Sequence, residues 1–235
     1  MANNDDMLIA AVRSSRLVLG HAGDGFVPAP KVEIIRALND AGLWIGPRGQ
    51  LERDPSFRQL IPYIVMTRGS HVAVYRRAVA GGEERLHGRW SLGLGGHVEL
   101  GDLAVGYGPD GGAVSESAGA TVDLWDAVER CAHREMDEEI RGARFAQKRW
   151  IGFLADDSTE VSRVHLGIVG IWTLMEGEIQ PGDPSIGALE LVHVDSLTAR
   201  EGEGEGEGEG NGRWERWSAL LLEPVRRLLV EQGVR

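Results

Sequence analysis

Seven residues, Arg134 to Ile140, constrain this chain more than any other stretch. They read REMDEEI and place Glu135, Asp137, Glu138 and Glu139 within five positions. On an α-helix, at about 100° per residue, Glu135, Glu138 and Glu139 share an arc of roughly 100° while Asp137 points the opposite way, to water. Arg134 stands one turn before Glu138 and can pair with it. The preceding turns put Val128, Cys131 and Ala132 on nearly the same side as the glutamates. That apolar stripe should face a core, which leaves three carboxylates at its edge, partly desolvated. Like charges in such a place destabilise a fold unless a cation neutralises them. Oxygen ligands crowded on a rigid helix suit Mg²⁺ or Mn²⁺. Upstream, Gly95-Gly96 offers a bend where a backbone carbonyl approaches a metal with no side chain in the way. The plain alternative is an acidic helix face turned to solvent.

Around this helix the pattern alternates between periods. KVEIIRALNDAG reads as a short helix with Gly42 as its stop. RLVLGH, from Arg16, reads as a strand, and the stretch from Gly42 to Phe57 as turns. Residues 1–58 are expected to form an N-terminal extension packed on a main domain of residues 59–235. Ile61, Tyr63 and Val65 alternate before the turn Arg68-Gly69-Ser70, and Val72 and Val74 resume after it, giving strand, turn and strand. GRWSLGLGGHVE is extended and punctuated by glycine. Residues 103–120 are loop-like, and Thr121 or Asp123 can cap the acidic helix, which should stop near Gly142. Two strands follow. The second, Val164 to Met175, is nearly continuous in apolar residues, as a central buried strand would be. LELVHVDSL is a further short strand. Residues 201–212 contain an acidic Glu-Gly tract expected to be flexible. Residues 213–235 form a helix interrupted or kinked at Pro224. Strands and helices mingle without βαβ regularity, so the class is α+β with a mixed sheet flanked by helices.

The formal net charge of −11 disfavours nucleic acid and anionic membranes as partners. The longest apolar run is too short for a membrane span. The single cysteine, Cys131, forms no internal disulfide, and the acidic start MANNDDML lacks the basic region of a signal peptide. These point to a soluble cytoplasmic protein.

The residues carry a resemblance to the Nudix hydrolases, whose signature is G-x5-E-x7-R-E-U-x-E-E-x-G-U, with U aliphatic. Arg134, Glu135, Met136, Glu138 and Glu139 match its right half. GGHVELGD matches its left half, with Gly96 at the first glycine and Asp102 in the acid's place. Between Asp102 and Arg134 stand 31 residues where the signature has 7, an apparent insertion of 24, assigned to about 103–125. Counted back from Arg134, the motif acid falls instead on Asp126, slightly preferred because it lies on the helix. Arg141 occupies the final glycine's place, and Gly142 comes one residue late. The insertion and the stretch RLHGRWSLGLGGHVELGD are similar to a branch described only as predicted phosphoesterases.

The resemblance spans about Gln59 to Leu197. It implies an α/β/α sandwich and Mg²⁺- or Mn²⁺-dependent hydrolysis of a diphosphate bond in a nucleoside diphosphate derivative or related organic pyrophosphate. Glu138 and Glu139 would bind metal with the Gly95 carbonyl. Glu135 would be a ligand or the base, and Arg134 would orient the glutamates. Arg76, Arg89 and His97 are candidate substrate contacts, within a larger arginine set that includes Arg77 and Arg85. Glu160, Glu176, Glu178 and Glu190 are candidates for an additional acid. Trp214 and Trp217 are core anchors or a homodimer contact. The rival reading is a non-catalytic Nudix-fold module that binds a nucleotide-like ligand.

Overall fold

The computed structural model describes residues 4–19, 25–78, 88–103, 123–197 and 214–233. The Glu-Gly tract, Arg85, Thr121 and nearly all of the 103–125 insertion lie outside them.

The central strand β4 (Phe57–Arg68) divides its side chains by alternation. Leu60, Ile64 and Met66 enter one core cluster, Tyr63 and Val65 the other. It turns through Gly69, at φ 55°, into β5 (His71–Arg77). The apolar run becomes β10 (His165–Leu174). It is central, as its composition requires, lying parallel to β4 on one side and antiparallel to β9 (Phe145–Ala155) on the other. β2 (Gly25–Pro28) extends the sheet beyond β9, and β12 (Ile186–His193) extends it beyond β5. β6 (Trp90–Ser91) pairs with β5, and β7 (Gly93–Leu94) with β4. Helices α1 (Lys31–Ala41) and α3 (Leu124–Glu139) cover one face, and α4 (Arg216–Gly233) covers the other. The result is the expected α/β/α sandwich around a mixed sheet.

The N-terminal third departs from its local pattern. The strand is β1 (Leu8–Arg13); of the RLVLGH stretch, Arg16 lies in a 3-10 turn, Ser14–Arg16, residues 17–19 are not strand, and Gly20 and His21 lie outside the described residues. The turn-rich segment contains β3 (Leu43–Pro47) and a short helix, α2 (Arg48–Leu51). β1 pairs with β3 on one edge and with the start of β4 on the other, burying Ile9 to Val12. Tertiary hydrogen bonding overrides weak local propensity here. The first 58 residues thus supply strands to the common sheet. α1 stops at Gly42 (φ 77°), as its sequence indicates. α4 continues through Pro224 rather than breaking there, held by buried Leu221, Leu222 and Val225. Among the described residues no helix is long and apolar enough to cross a membrane.

Candidate active site

Helix α3 starts where the Asp123 carboxylate accepts the Trp125 amide at 2.8 Å. Its stripe of Val128, Cys131, Ala132 and Met136 is buried. It ends at Glu139, short of Gly142, because Ile140 turns extended and enters β8 (Ile140–Arg141), which pairs with β11 (Gln180–Pro181). The Gly182 amide donates to the Glu139 carbonyl at 2.6 Å, satisfying a terminal acceptor that the helix cannot.

The glycine bend is wedged between this helix and β4. A Cβ on Gly96 would overlap the Glu135 carboxylate, and one on Gly95 would overlap the Pro62 carbonyl. The two halves of the acidic pattern therefore meet in space.

Arg134 is the hub. Its Nε donates to Asp102 Oδ1 at 3.2 Å and its Nη2 to Asp102 Oδ2 at 3.0 Å. Nη2 also reaches the His97 carbonyl at 3.1 Å, and Nη1 reaches Glu135 Oε1 at 2.7 Å. Glu138 Oε2 lies 3.6 Å from Nη1. Asp102 is buried and also accepts the Glu99 amide at 2.9 Å. Asp126, preferred on spacing, sits exposed in the first turn of α3. The aspartate beside Arg134 is Asp102, because chain folding rather than chain spacing returns it there.

Burial raises the Glu135 carboxyl above its usual range, against the pull of Arg134. Burial, reinforced by Glu135, pushes Glu139 up to about 8. Glu139 Oε2 is buried with no hydrogen-bond partner, an arrangement that costs free energy unless something answers it. Glu138 is largely exposed. Among the described residues no three His, Cys, Asp or Glu side chains form a metal-holding group. The cation between Glu135 and Glu138 is the Arg134 guanidinium. A divalent ion nonetheless fits the donor set, which offers an orphaned buried oxygen on Glu139 and two more carboxylates within one turn.

His97 contributes to the cluster through its backbone. Its ring is half-buried, and Nε2 meets His165 Nε2 at 3.3 Å, so only its carbonyl joins the Arg134 cluster. Arg76 Nε donates to the Gly88 carbonyl at 3.1 Å, and Arg89 is half-buried beside that turn. Burial pushes the Cys131 thiol up, with Asp102 and Glu135 adding to the effect, so it stays protonated beside the Gly96 and His97 carbonyls. Trp214 and Trp217 are core anchors: Trp214 bridges to Trp90, and Trp217 stands edge-on to Tyr63.

Sequence reading missed Glu215, and it placed Arg77 only in the arginine set considered for substrate contact. Arg77 Nε lies 3.5 Å from Glu215 Oε2, and its charge also acts on Glu139. Glu215 is buried, and its Oε1 accepts from Tyr63 at 2.7 Å, Ser91 at 2.5 Å and Ser218 at 3.1 Å. Ser91 and Tyr75 also reach the Gly93 carbonyl, at 2.9 and 3.2 Å. This network fastens the start of α4 to the strand leading into the glycine bend. Alternation along β5 puts Arg77 on the side of core residue Tyr75, a signal that was available. Glu215, following the Glu-Gly tract, had none.

No protein-family profile matches the sequence. Protein YmaB of Bacillus subtilis (strain 168) is 32% identical over 132 residues, which is 55% of this chain and 56% of YmaB. The match thus spans about half the length of that relative. Tm1382, described as a candidate Nudix hydrolase, matches in structure over 94% of this chain and 99% of its own, with a TM-score of 0.70 and 23% identity. This chain has the Nudix fold.

Proposed function

We propose that the chain is a Nudix-type phosphohydrolase, a pyrophosphatase that uses Mg²⁺ or Mn²⁺ to cleave a diphosphate bond in a nucleoside diphosphate derivative or related organic pyrophosphate. One observation carries this reading. The Glu135 carboxylate fills the space a Gly96 side chain would take, and Glu139 Oε2, one turn on, is buried without a partner.

Glu135, Glu138 and Glu139, with the Gly95 carbonyl, would hold the metal. When bound, a divalent ion neutralises the diphosphate and lowers the pKa of the attacking water. Arg134, gripped by Asp102, holds Glu135 Oε1 in a fixed direction. Glu135, its proton affinity raised by burial, is suited to take the water's proton at a carboxylate oxygen. Arg76 and Arg89 are the proposed phosphate contacts. The lone buried thiol accords with a reducing, cytoplasmic setting.

The test is a panel of nucleoside diphosphate derivatives with and without Mg²⁺ or Mn²⁺, read as phosphate release after phosphatase coupling. Glu138→Gln and Glu139→Gln should each lower turnover by about 100-fold or more while the chain stays folded. Turnover indifferent to metal and to both substitutions would sink the reading.

A further inference from the structure

The far side of α3 borders a different space. A cleft of about 960 Å³ opens between the β2–α1 junction, β9, α3 and α4, and none of Glu135, Glu138 and Glu139 lines it. Its size matches that of a small-molecule site.

The walls include Phe26, Trp150 and Trp172, with the two indoles edge to face at 6.3 Å. Lys148 stands over this surface, its Nζ 4.5 Å from the Trp172 ring centroid. The same Nζ lies 2.9 Å from His133 Nε2. No carboxylate pairs with Lys148 among the described residues, and Asp137 and Glu129 act on it only at longer range.

The two lining carboxylates are already answered. Glu129 pairs with Lys31 at 2.8 Å, and Glu223 with Arg227 at 3.6 Å. Lys148 is therefore a cation beyond that balance, in a chain whose net charge is −11. An aromatic wall beside an ammonium unmatched by any carboxylate suits a ligand with a flat ring and an anionic group. The ring packs against the margin of the wall at Trp150, Trp172 itself being buried, while the anion meets Lys148.

We propose that this cleft is a second binding site, separate from the glutamate cluster, for a planar aromatic anion of the nucleoside monophosphate kind. It stands independently of the hydrolase reading.

The test is titration of the full chain with AMP in EDTA, by calorimetry and tryptophan fluorescence. Adenosine serves as the ring-only arm and inorganic phosphate as the charge-only arm. AMP should bind saturably and perturb tryptophan emission, with each arm weaker by about tenfold or more. Lys148→Ala, at an exposed position, should weaken AMP by about tenfold with an unchanged circular dichroism spectrum, and Lys148→Arg should restore most of it. Glu139→Gln should leave the titration unchanged. Absence of saturable binding, phosphate binding as tightly as AMP, indifference to Lys148→Ala, or loss in Glu139→Gln would each overturn the proposal.

Discussion

Arg134 and Asp102, 32 positions apart, meet through two hydrogen bonds of 3.2 and 3.0 Å. Arg130 strengthens this junction by donating to the Asp102 carbonyl at 2.7 Å. An insertion in the middle of an acidic pattern is thereby tolerated, because the ends that carry the chemistry are clamped together.

Asp102→Asn removes one charge from this clamp. Arg134 is part-exposed and water screens what is left, so the cost should be about 1–3 kcal/mol. Asp126→Asn, on the exposed side of the same helix, should change stability by less than about 0.5 kcal/mol. Urea denaturation of the two variants measures the contrast, and equal effects would contradict the geometry.

Glu139 gives a pH signature in the metal-free protein. Its carboxyl is raised to about 8 in the folded chain, against an ordinary 4.5. The folded state therefore holds a proton that the unfolded state releases. The stabilisation is complete below about pH 4.5 and is lost as pH rises through about 8. Thermal melts in EDTA should fall across that window, with each kcal/mol lost worth about 2–4 °C in a chain of this size. Mg²⁺ should oppose the fall, and Glu139→Gln should abolish it.

The two glycines of the bend should respond differently to alanine. At Gly96 the obstacle is the end of a flexible side chain, the Glu135 carboxylate. Gly96→Ala should fold with a loss under about 1.5 kcal/mol yet lose activity as Glu135 is displaced. At Gly95 the obstacle is the Pro62 carbonyl, backbone of the central strand, so Gly95→Ala should cost about 1–3 kcal/mol. Paired melts and phosphate-release assays separate the cases.

Tyr63→Phe tests the Glu215 network. Burial and Glu215 hold the phenol far above its usual titration range, so it remains a donor. Without the hydroxyl, Glu215 Oε1 loses its 2.7 Å partner and Ser218 Oγ a 2.8 Å contact, at a cost of about 1–3 kcal/mol. Chemical denaturation reads the loss, and an unchanged midpoint would show the network to be redundant.

The acidic helix and its apolar stripe were legible because helical periodicity is local: residues three and four apart share a face wherever the helix lies. The same holds for α1 with its glycine stop and for the β4–β5 hairpin. β10 announced itself by composition, since a strand covered on both faces has no polar side. The N-terminal strands were hidden, because β1 and β3 are strands by virtue of each other and of β4, and no window of sequence contains the partner.

For the site, the sequence by itself determined which groups are present and that three carboxylates share one helical edge. Only the tertiary structure decided that Asp102 rather than Asp126 lies against Arg134. It also decided that Arg77 and Glu215 stand behind the glutamates, and that Glu139 Oε2 is buried without a partner. Helix geometry follows from bonds between neighbours in the chain. Burial, charge pairing and an unsatisfied oxygen depend on which distant segments close around a group, and that is set only when the sheet assembles.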